Sequence, residues 1–155
     1  MSAYLLIWNP RQSRPTDLND WIEALNAGQY PIDDWSTGSR KTMRRNSRVF
    51  LLRCGLEPKG IVASGYCTEE PWTSHDENDH AYYAEFVLTA TLDADQGEVL
   101  PLNTLQNDEV LSKVTWVNQN CQQIPEDVVA YLEAEWQRIL SLHQRTELEY
   151  PPTSD

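Results

Sequence analysis

The chain has 155 residues and a formal net charge of −12, with 24 acidic against 12 basic side chains. This length is typical of one domain, which can bury a core without disulfides or metal. No apolar run reaches the roughly 20 residues of a membrane-spanning helix, and the acidic balance argues against a broadly basic nucleic-acid-binding surface.

The cysteine pattern and the N-terminus predict an intracellular protein. Three cysteines, Cys54, Cys67 and Cys121, are odd in number and form no C-x-x-C pair. The first ten residues lack a basic segment followed by a long apolar one, so no signal peptide is predicted. Because unpaired thiols persist in reducing compartments, we expect a cytoplasmic location.

The charge is unevenly distributed along the chain. Residues 1–60 hold nine of the 12 basic side chains but only six of the 24 acidic ones. Half of all basic residues lie in one window: Arg40, Lys41, Arg44, Arg45, Arg48 and Arg53. This pattern allows a local positive face on an acidic body, although a solvated loop is the more common outcome of a charge run alone.

Hydrophobic periodicity and turn residues predict an α+β fold with a small, curved, mostly antiparallel sheet or barrel and flanking helices. The predicted strands are 4–8, 48–54, 60–66, 81–92 and a short 113–116. The predicted helices are 17–27, a short turn within 100–111, and a last helix that starts with Pro125. Residues 29–39 and 117–123 are expected to be irregular. We predict one domain over 1–146 and a C-terminal tail over 147–155.

Six tryptophans supply the main binding chemistry that the sequence offers. Trp21 and Trp136 fall on the apolar stripes of the predicted helices and are expected in the core. The other four lie at strand ends or in loops: Trp8, Trp35, Trp72 and Trp116. Such rings can stack on a flat ligand, and a stacked base contributes about 1–3 kcal/mol per ring. They can equally plug the ends of a barrel.

Signals for an enzyme, a metal or a cofactor are weak. His75 and His80 lie five residues apart in an acidic loop, and their spacing matches no strong metal-binding pattern. The sequence contains no GxSxG, no HExxH and no phosphate-binding glycine loop. We therefore predict a non-catalytic protein without metal or cofactor.

Several runs together resemble a known family. They are Trp8-Asn9-Pro10, Trp35-Ser36-Thr37-Gly38, the hairpin at 48–53 and 59–65, Trp72, a Tyr-rich strand, and Trp116-x-x-Gln119 before the last helix. Over about residues 4–140, this order is similar to the EVE-like domains of the PUA-like superfamily, most closely the version found beside HNH nucleases in modification-dependent restriction systems. Asn46-Ser47 stands where related domains usually have Gly-Asp.

The resemblance implies a pseudo-barrel whose aromatic pocket takes a flipped base, such as 5-methylcytosine, 5-hydroxymethylcytosine or methyladenine. By position, Trp35 would be the main cage ring, with Ser36 and Thr37 beside it. The further pocket residues would be Asn9, Trp72, Tyr82, Trp116 and Gln119. The backbone phosphates would face Arg40, Lys41, Arg44 and Arg45. The implied partners are modified DNA or RNA and a separate nuclease effector, in a bacterial cytoplasm.

Two other interpretations stay open. The same fold can serve as a protein-interaction or structural module without base binding. Some ASCH-type relatives in the superfamily are amidohydrolases acting on modified cytidine, for which Lys41, Thr42 and Glu70 would be the candidate residues.

Overall fold

The sheet dominates the architecture. A computed structural model describes residues 2–10, 18–73, 78, 80–117 and 121–150. Its strands are β1 Ala3–Trp8, β2 Ile32–Gly38, β3 Arg48–Arg53, β4 Gly60–Cys67, β5 Trp72–Thr73, β6 Tyr82–Thr91, β7 Leu100–Pro101 and β8 Cys121–Ile124. Its helices are α1 Leu18–Asn26, α2 Leu102–Asn107 and α3 Glu126–Leu142, with short 3-10 turns at Ala94–Gln96 and Leu111–Lys113.

The strand order is β2-β6-β4-β3-β1-β8. Only β1 and β3 are parallel neighbours, and every other pairing between described strands is antiparallel. The short strands β5 and β7 add to β6 and β4 outside this path. The mostly antiparallel α+β fold predicted from the sequence is therefore observed.

Strand β3 shows how the sheet separates two cores. Its alternate residues Phe50 and Leu52 join a cluster with the apolar face of α3, including Trp136, whose ring meets Phe50 edge-on at 6.3 Å. Val49 and Leu51 point to the other face, where α1 contributes Trp21. A side-chain period of two places every second residue on the same face, which explains why all six residues of β3 are buried.

Three local predictions were wrong. Residues 32–38 form an edge strand, although two aspartates are poor strand formers, because at a sheet edge these side chains reach solvent. The predicted strand at 113–116 is absent: a 3-10 turn ends at Lys113, and the last strand lies at Cys121–Ile124. This strand, CQQI, is buried at both ends, accessible at its two glutamines and paired with β1. It includes residues 121–123, which were predicted to be irregular.

A buried ionic network joins β3, α3 and the C-terminal segment. Arg48 is 2% exposed and donates to both carboxylate oxygens of Glu133 (2.9 and 3.0 Å) and of Glu147 (2.7 and 3.0 Å). Glu147 also accepts from the hydroxyls of Ser64 at 2.8 Å and Thr89 at 2.6 Å. Burial raises the pKa of Glu147, but Arg48 and these hydroxyls outweigh it and leave the pKa below its usual value.

Residues 147–150 lie against the sheet. The Leu148 amide donates to Thr89 O at 2.9 Å, and the Tyr150 ring stacks on Tyr66 with centroids 5.8 Å apart. Tyr30 donates its hydroxyl to the carbonyl of Glu149. The first part of the segment predicted as a tail is thus bound to the sheet, while 151–155 lie outside the described residues; the domain boundary at 146 stays a prediction.

Candidate functional site

The sheet curls until its two edge strands, β2 and β8, approach each other. We call the gap between them the seam. Trp35 on β2 crosses it, because its indole Nε1 donates to Ile7 O on β1 at 3.1 Å. The Trp35 ring also packs against Trp21 of α1, with centroids 6.4 Å apart. Trp35 therefore joins the edge of β2 to the interior core.

The cavity beside Trp35 is small. It measures about 20 Å³ and is lined by apolar side chains such as Leu6, Trp21 and Phe86. A space of this size holds about one water molecule, since a water needs roughly 10–15 Å³ of probe volume. The cavity is too small for a base, so the ring predicted as the main cage wall packs into the interior, half-buried.

A tight turn follows Trp35. The Thr37 hydroxyl donates to Arg40 O at 2.9 Å, and the Arg40 amide donates back to Thr37 O at 3.0 Å. Gly38 has φ +62°, a left-handed conformation that glycine adopts without strain, and its amide donates to Ser36 Oγ at 3.1 Å. The hydroxyls of Ser36 and Thr37 thus hold the turn, which fixes the chain that follows.

The residues of the turn and those that follow it line a cleft at the seam, which we call the seam cleft. It measures about 400 Å³, and its lining residues are Thr37, Gly38, Ser39, Arg40, Lys41, Thr42 and Cys121. The side chains of Ser39, Lys41 and Thr42 are exposed at its rim. Among the described residues its lining is polar and contains no aromatic ring. Of the cleft residues, Ser39 and Cys121 were missed as site residues; the small polar run after Trp35 was the available signal for Ser39.

Arg40 lines one wall of the seam cleft, and one of its N–H groups lacks a hydrogen-bond partner among the described residues. Its guanidinium lies 5.0 Å from the centroid of the Tyr4 ring, a cation–π distance. Its Nε is buried without a hydrogen-bond partner among the described residues. Burial raises the pKa of the neighbouring Cys121 thiol to about 11, although the positive charge of Arg40 and its hydrogen bond to the thiol oppose the shift. Cys121 is therefore a neutral thiol at pH 7.

The other predicted phosphate contacts divide into two kinds. Lys41 and Arg44 are exposed. Arg45 donates from Nε to Thr68 O at 3.0 Å, which holds its side chain beside the start of the acidic loop, where Glu69 and Glu70 are exposed. Among these four basic residues, Lys41 and Arg44 are exposed to solvent, whereas Arg40 stacks on Tyr4 and Arg45 donates to Thr68 O.

Tyr82 lies next to the turn, and Trp72 lies on the short strand β5 beside β6. Strand β5 pairs with the start of β6, placing Trp72 opposite Tyr83 and Thr73 opposite Tyr82. Tyr82 is also the register partner of Gly38 across the β2–β6 pair. Both rings are half-buried. Neither residue belongs to the lining of the seam cleft: Tyr82 adjoins the turn through its pairing with Gly38, and Trp72 lies one strand farther away, with β6 between it and β2.

Trp116 is a core residue, not a pocket wall. It is 2% exposed, and its Nε1 donates to Leu105 O at 3.2 Å and Leu111 O at 2.9 Å. The prediction failed because α2 and the 3-10 turn after it supply carbonyls that capture the indole. Gln119 lies outside the described residues.

Asn9 stands at the end of β1, away from the residues that line the seam cleft. Its amide packs so tightly against Gly55 that a Cβ at that glycine would come within 2.1 Å of Asn9 Oδ1. The structure therefore does not bring Asn9 together with the turn after Trp35.

The described residues contain neither a candidate metal site nor a candidate membrane span. In the described part of the chain, no cluster of three or more His, Cys, Asp or Glu residues is placed to hold a metal ion. No helix there is long and apolar enough to cross a membrane.

Comparison with known proteins shows the fold. No family model and no curated protein matches the sequence. A hypothetical protein from Leishmania major matches with a TM-score of 0.62 at 15% identity, over 89% of this chain and 96% of that one. A Pseudomonas syringae protein matches with a TM-score of 0.64 at 13% identity, over 85% and 97%.

Human THYN1, solved in complex with DNA containing 5-methylcytosine, matches with a TM-score of 0.53 at 15% identity, over 87% of this chain and 98% of that one. At these identities the likeness concerns the fold. The predicted fold class, an α+β fold with a small curved sheet and flanking helices, is confirmed, and these solved structures share it. Membership of the EVE-like domains or of the PUA-like superfamily stays a prediction. The narrower link to HNH nucleases stays a prediction.

Proposed function

We propose that this chain binds DNA carrying a modified base and takes that base, flipped out of the duplex, into the seam cleft. The observation that carries the proposal is a cleft of about 400 Å³ with Arg40 and Lys41 in its walls. Ligand pockets typically measure about 300–1,000 Å³. The same fold in human THYN1 accommodates DNA that contains 5-methylcytosine.

The electrostatics suit a small contact area on DNA. Lys41 and Arg44 are exposed within a chain whose net charge is −12. A protein of this kind contacts few phosphates, and repulsion from the acidic remainder limits non-specific binding. Affinity then depends mainly on the recognised base, because a flipped base adds stacking and hydrogen bonds that an unflipped duplex cannot supply.

Trp72 and Tyr82 supply the aromatic side of the proposed site. Tyr82 is paired with Gly38 at the turn, and Trp72 lies on the adjoining short strand. An aromatic cage at this position requires the Trp72 ring to stack on the flipped base or on the adjacent base of the DNA. Trp35 packs against Trp21 and anchors the start of the turn in the core.

We further propose that binding is the whole activity of this chain, and that a separate nuclease acts on the DNA it selects, as in restriction of foreign DNA. The three cysteines are buried free thiols, which accords with a reducing cytoplasm.

One observation favours the amidohydrolase alternative. Lys41 and Thr42, two of its three candidate residues, both line the seam cleft. Glu70 is exposed and does not belong to the lining. Incubation with modified cytidines, followed by chromatography, would reveal deamination or amide hydrolysis. Product that forms with the natural chain and disappears in Lys41→Gln would replace the binding proposal with an enzymatic one.

The proposal is tested by titrating fluorescent duplexes at low ionic strength, with one central cytosine, 5-methylcytosine, 5-hydroxymethylcytosine, adenine or N6-methyladenine. We expect tighter binding to at least one modified duplex. Trp72→Ala should weaken that binding by about 1–3 kcal/mol if the ring stacks on a base. Tyr131→Ala is the matched control, because this aromatic residue is 56% exposed on α3.

Two outcomes contradict parts of the proposal. A folded protein that binds no duplex would favour the interaction-module alternative. Tighter binding to the same sequence as RNA would redirect the proposal to RNA, where contacts to the 2′-hydroxyl distinguish the two nucleic acids.

A further inference from the structure

The described lining of the seam cleft contains no negative group. Two of its residues, Arg40 and Lys41, are cations and none is Asp or Glu, although the chain holds 24 acidic side chains. The other ionisable group of that lining is the Cys121 thiol, and burial raises its pKa to about 11, so it is neutral at pH 7. The lining is therefore positive in a chain whose net charge is −12.

The two cations are not equally available to an occupant of the seam cleft. The Arg40 guanidinium stacks on the Tyr4 ring, 5.0 Å from its centroid. Lys41 is exposed at the rim and makes no ion pair with a described residue. The side chains of Ser39 and Thr42, on either side of these cations in the sequence, are exposed as well. An ammonium with three donors and two hydroxyls can thus meet oxygen acceptors of an occupant.

The turn positions these groups before a ligand arrives. The Arg40 amide donates to Thr37 O at 3.0 Å, and the Thr37 hydroxyl donates to Arg40 O at 2.9 Å. Together these two bonds hold the backbone around Ser39 and fix the peptide that leads into Lys41. A backbone that is ordered in advance lowers the entropic cost of binding.

A pyrimidine with a small substituent fits the seam cleft. 5-Carboxylcytosine has eleven non-hydrogen atoms, and at the ~30 Å³ that each water occupies in the liquid they fill roughly 330 Å³. The seam cleft measures about 400 Å³. 5-Methylcytosine and 5-formylcytosine are smaller, so size admits all three bases, and charge is the property that separates the carboxylate from the other two.

Charge complementarity favours the carboxylate. A carboxylate accepts hydrogen bonds from an ammonium and from hydroxyls, and bonds in which a partner is ionised are about twice as strong as neutral ones. A methyl group gains free energy only where apolar surface covers it, and the polar described lining offers little of that surface. The acidic remainder of the chain opposes an anion only at short range, since salt at 0.1 M screens exposed charges beyond about 10 Å.

Resting on the proposed function, we infer that the seam cleft recognises a flipped base that carries a carboxylate, as 5-carboxylcytosine does. The Lys41 ammonium pairs with the carboxylate, and the hydroxyls of Ser39 and Thr42 donate to its oxygens. Arg40 adds positive potential from the wall of the cleft. Arg44 is exposed but does not belong to the lining, and it remains available to the backbone phosphates.

The experiment compares five duplexes of one sequence, with cytosine, 5-methylcytosine, 5-hydroxymethylcytosine, 5-formylcytosine or 5-carboxylcytosine at the central position. Fluorescence anisotropy at neutral pH and one fixed salt concentration gives the dissociation constants. The formyl base is the matched neutral ligand, because it keeps a carbonyl oxygen on the same carbon. We expect the carboxylated duplex to bind about tenfold more tightly than the formylated one, which corresponds to about 1.4 kcal/mol, close to the contribution of one hydrogen bond to a charged group.

Lys41→Gln removes the ammonium and keeps a polar side chain, so it should reduce this preference to about threefold or less. Arg44→Gln is the matched control, because Arg44 is also an exposed cation of the same segment but lies outside the lining of the seam cleft. Its loss should weaken all five duplexes by a similar factor and preserve the preference.

The outcomes separate this inference from the proposed function. Formylated or methylated DNA bound as tightly as carboxylated DNA, and more tightly than cytosine DNA, would overturn the inference and leave the proposed function standing. A preference for the carboxylated duplex that survives Lys41→Gln would place its recognition elsewhere and also overturn the inference. Failure to bind any modified duplex more tightly than cytosine DNA would overturn both.

Discussion

Arg48 and Arg40 lie only eight residues apart, yet the structure uses them in opposite ways. Arg48 is 2% exposed and bonded to two carboxylates, so each side of its guanidinium is paired. Arg40 stacks on Tyr4 at an open cleft and keeps Nε without a described partner. A buried cation whose donors are paired holds parts of a protein together. The partners of Arg48 therefore assign it to the scaffold, whereas a ligand contact of Arg40 belongs to the proposed function.

Removing Arg48 should give the largest effect. We expect Arg48→Met to lower the free energy of unfolding by about 3–5 kcal/mol, because Glu133 and Glu147 lose their shared cation. Urea denaturation measures the loss. Arg138→Met is the matched control: its pair with Glu135 is exposed, and its removal should cost less than about 1 kcal/mol. Equal stability of the two variants would contradict the distinction.

The same network sets the response to acid. The pKa of Glu147 lies below its usual value, so its stabilising contribution is present above the unfolded pKa of about 4.3 and is lost as pH falls through the lower folded value. Glu147→Gln should therefore show a weaker loss of stability below pH 4 than the natural chain. If the free energy of unfolding of Glu147→Gln falls below pH 4 as steeply as that of the natural chain, other carboxylates control the acid response.

Alkaline pH should act through two buried thiols. Burial raises the pKa of Cys67 and of Cys121 to about 11 each. The unfolded thiols ionise near pH 9, so the unfolded state binds fewer protons and stability falls as pH rises from about 9 to 11. Each thiol should account for about 2 kcal/mol of this loss. Measuring the free energy of unfolding of the natural chain and of Cys121→Ala over this pH range isolates the contribution of one thiol. An equal loss of stability in both proteins would contradict a contribution from Cys121.

Local patterns predicted most of the scaffold. The hairpin at 48–53 and 60–67 and the last helix have strong apolar periodicity, and the structure contains both. Edge elements were harder, because β2 and β8 are polar strands whose pairing with β6 and β1 comes from distant parts of the chain. A two-residue period carries little signal when one side of a strand faces solvent and the strand is short.

The site was predictable as a segment but not as a set of contacts. The second half of the Trp-Ser-Thr-Gly turn and the first two basic residues after it, Arg40 and Lys41, do line the seam cleft. The sequence could not show that Trp35 donates to Ile7 O or that Trp116 is held by Leu105 O and Leu111 O. These carbonyls come from distant parts of the chain, so the partners of both N–H groups depend on the tertiary fold.

Trp35→Phe tests whether the ring is structural or a ligand contact. Phenylalanine keeps an aromatic ring but loses the donor to Ile7 O, which should lower the free energy of unfolding by about 0.5–1.5 kcal/mol. Because the ring faces Trp21 rather than the seam cleft, affinity for a modified duplex should change less than twofold. A tenfold loss of affinity without loss of stability would restore Trp35 as the main stacking ring.

Lys41→Gln should have the smallest effect on stability and a specific effect on binding. Lys41 is exposed at the rim of the seam cleft and makes no described ion pair, so the free energy of unfolding should change by less than about 0.5 kcal/mol. If its ammonium contacts one phosphate, affinity falls roughly fivefold to tenfold near 0.1 M salt, and the slope of log K against log salt weakens by about 0.9.

Lys113→Gln is the control, since that lysine is also exposed but its Nζ lies 3.5 Å from a carboxylate oxygen of Asp127. The salt slope is the decisive readout: loss of affinity at an unchanged slope would mean that Lys41 contacts the base or its substituent rather than the backbone.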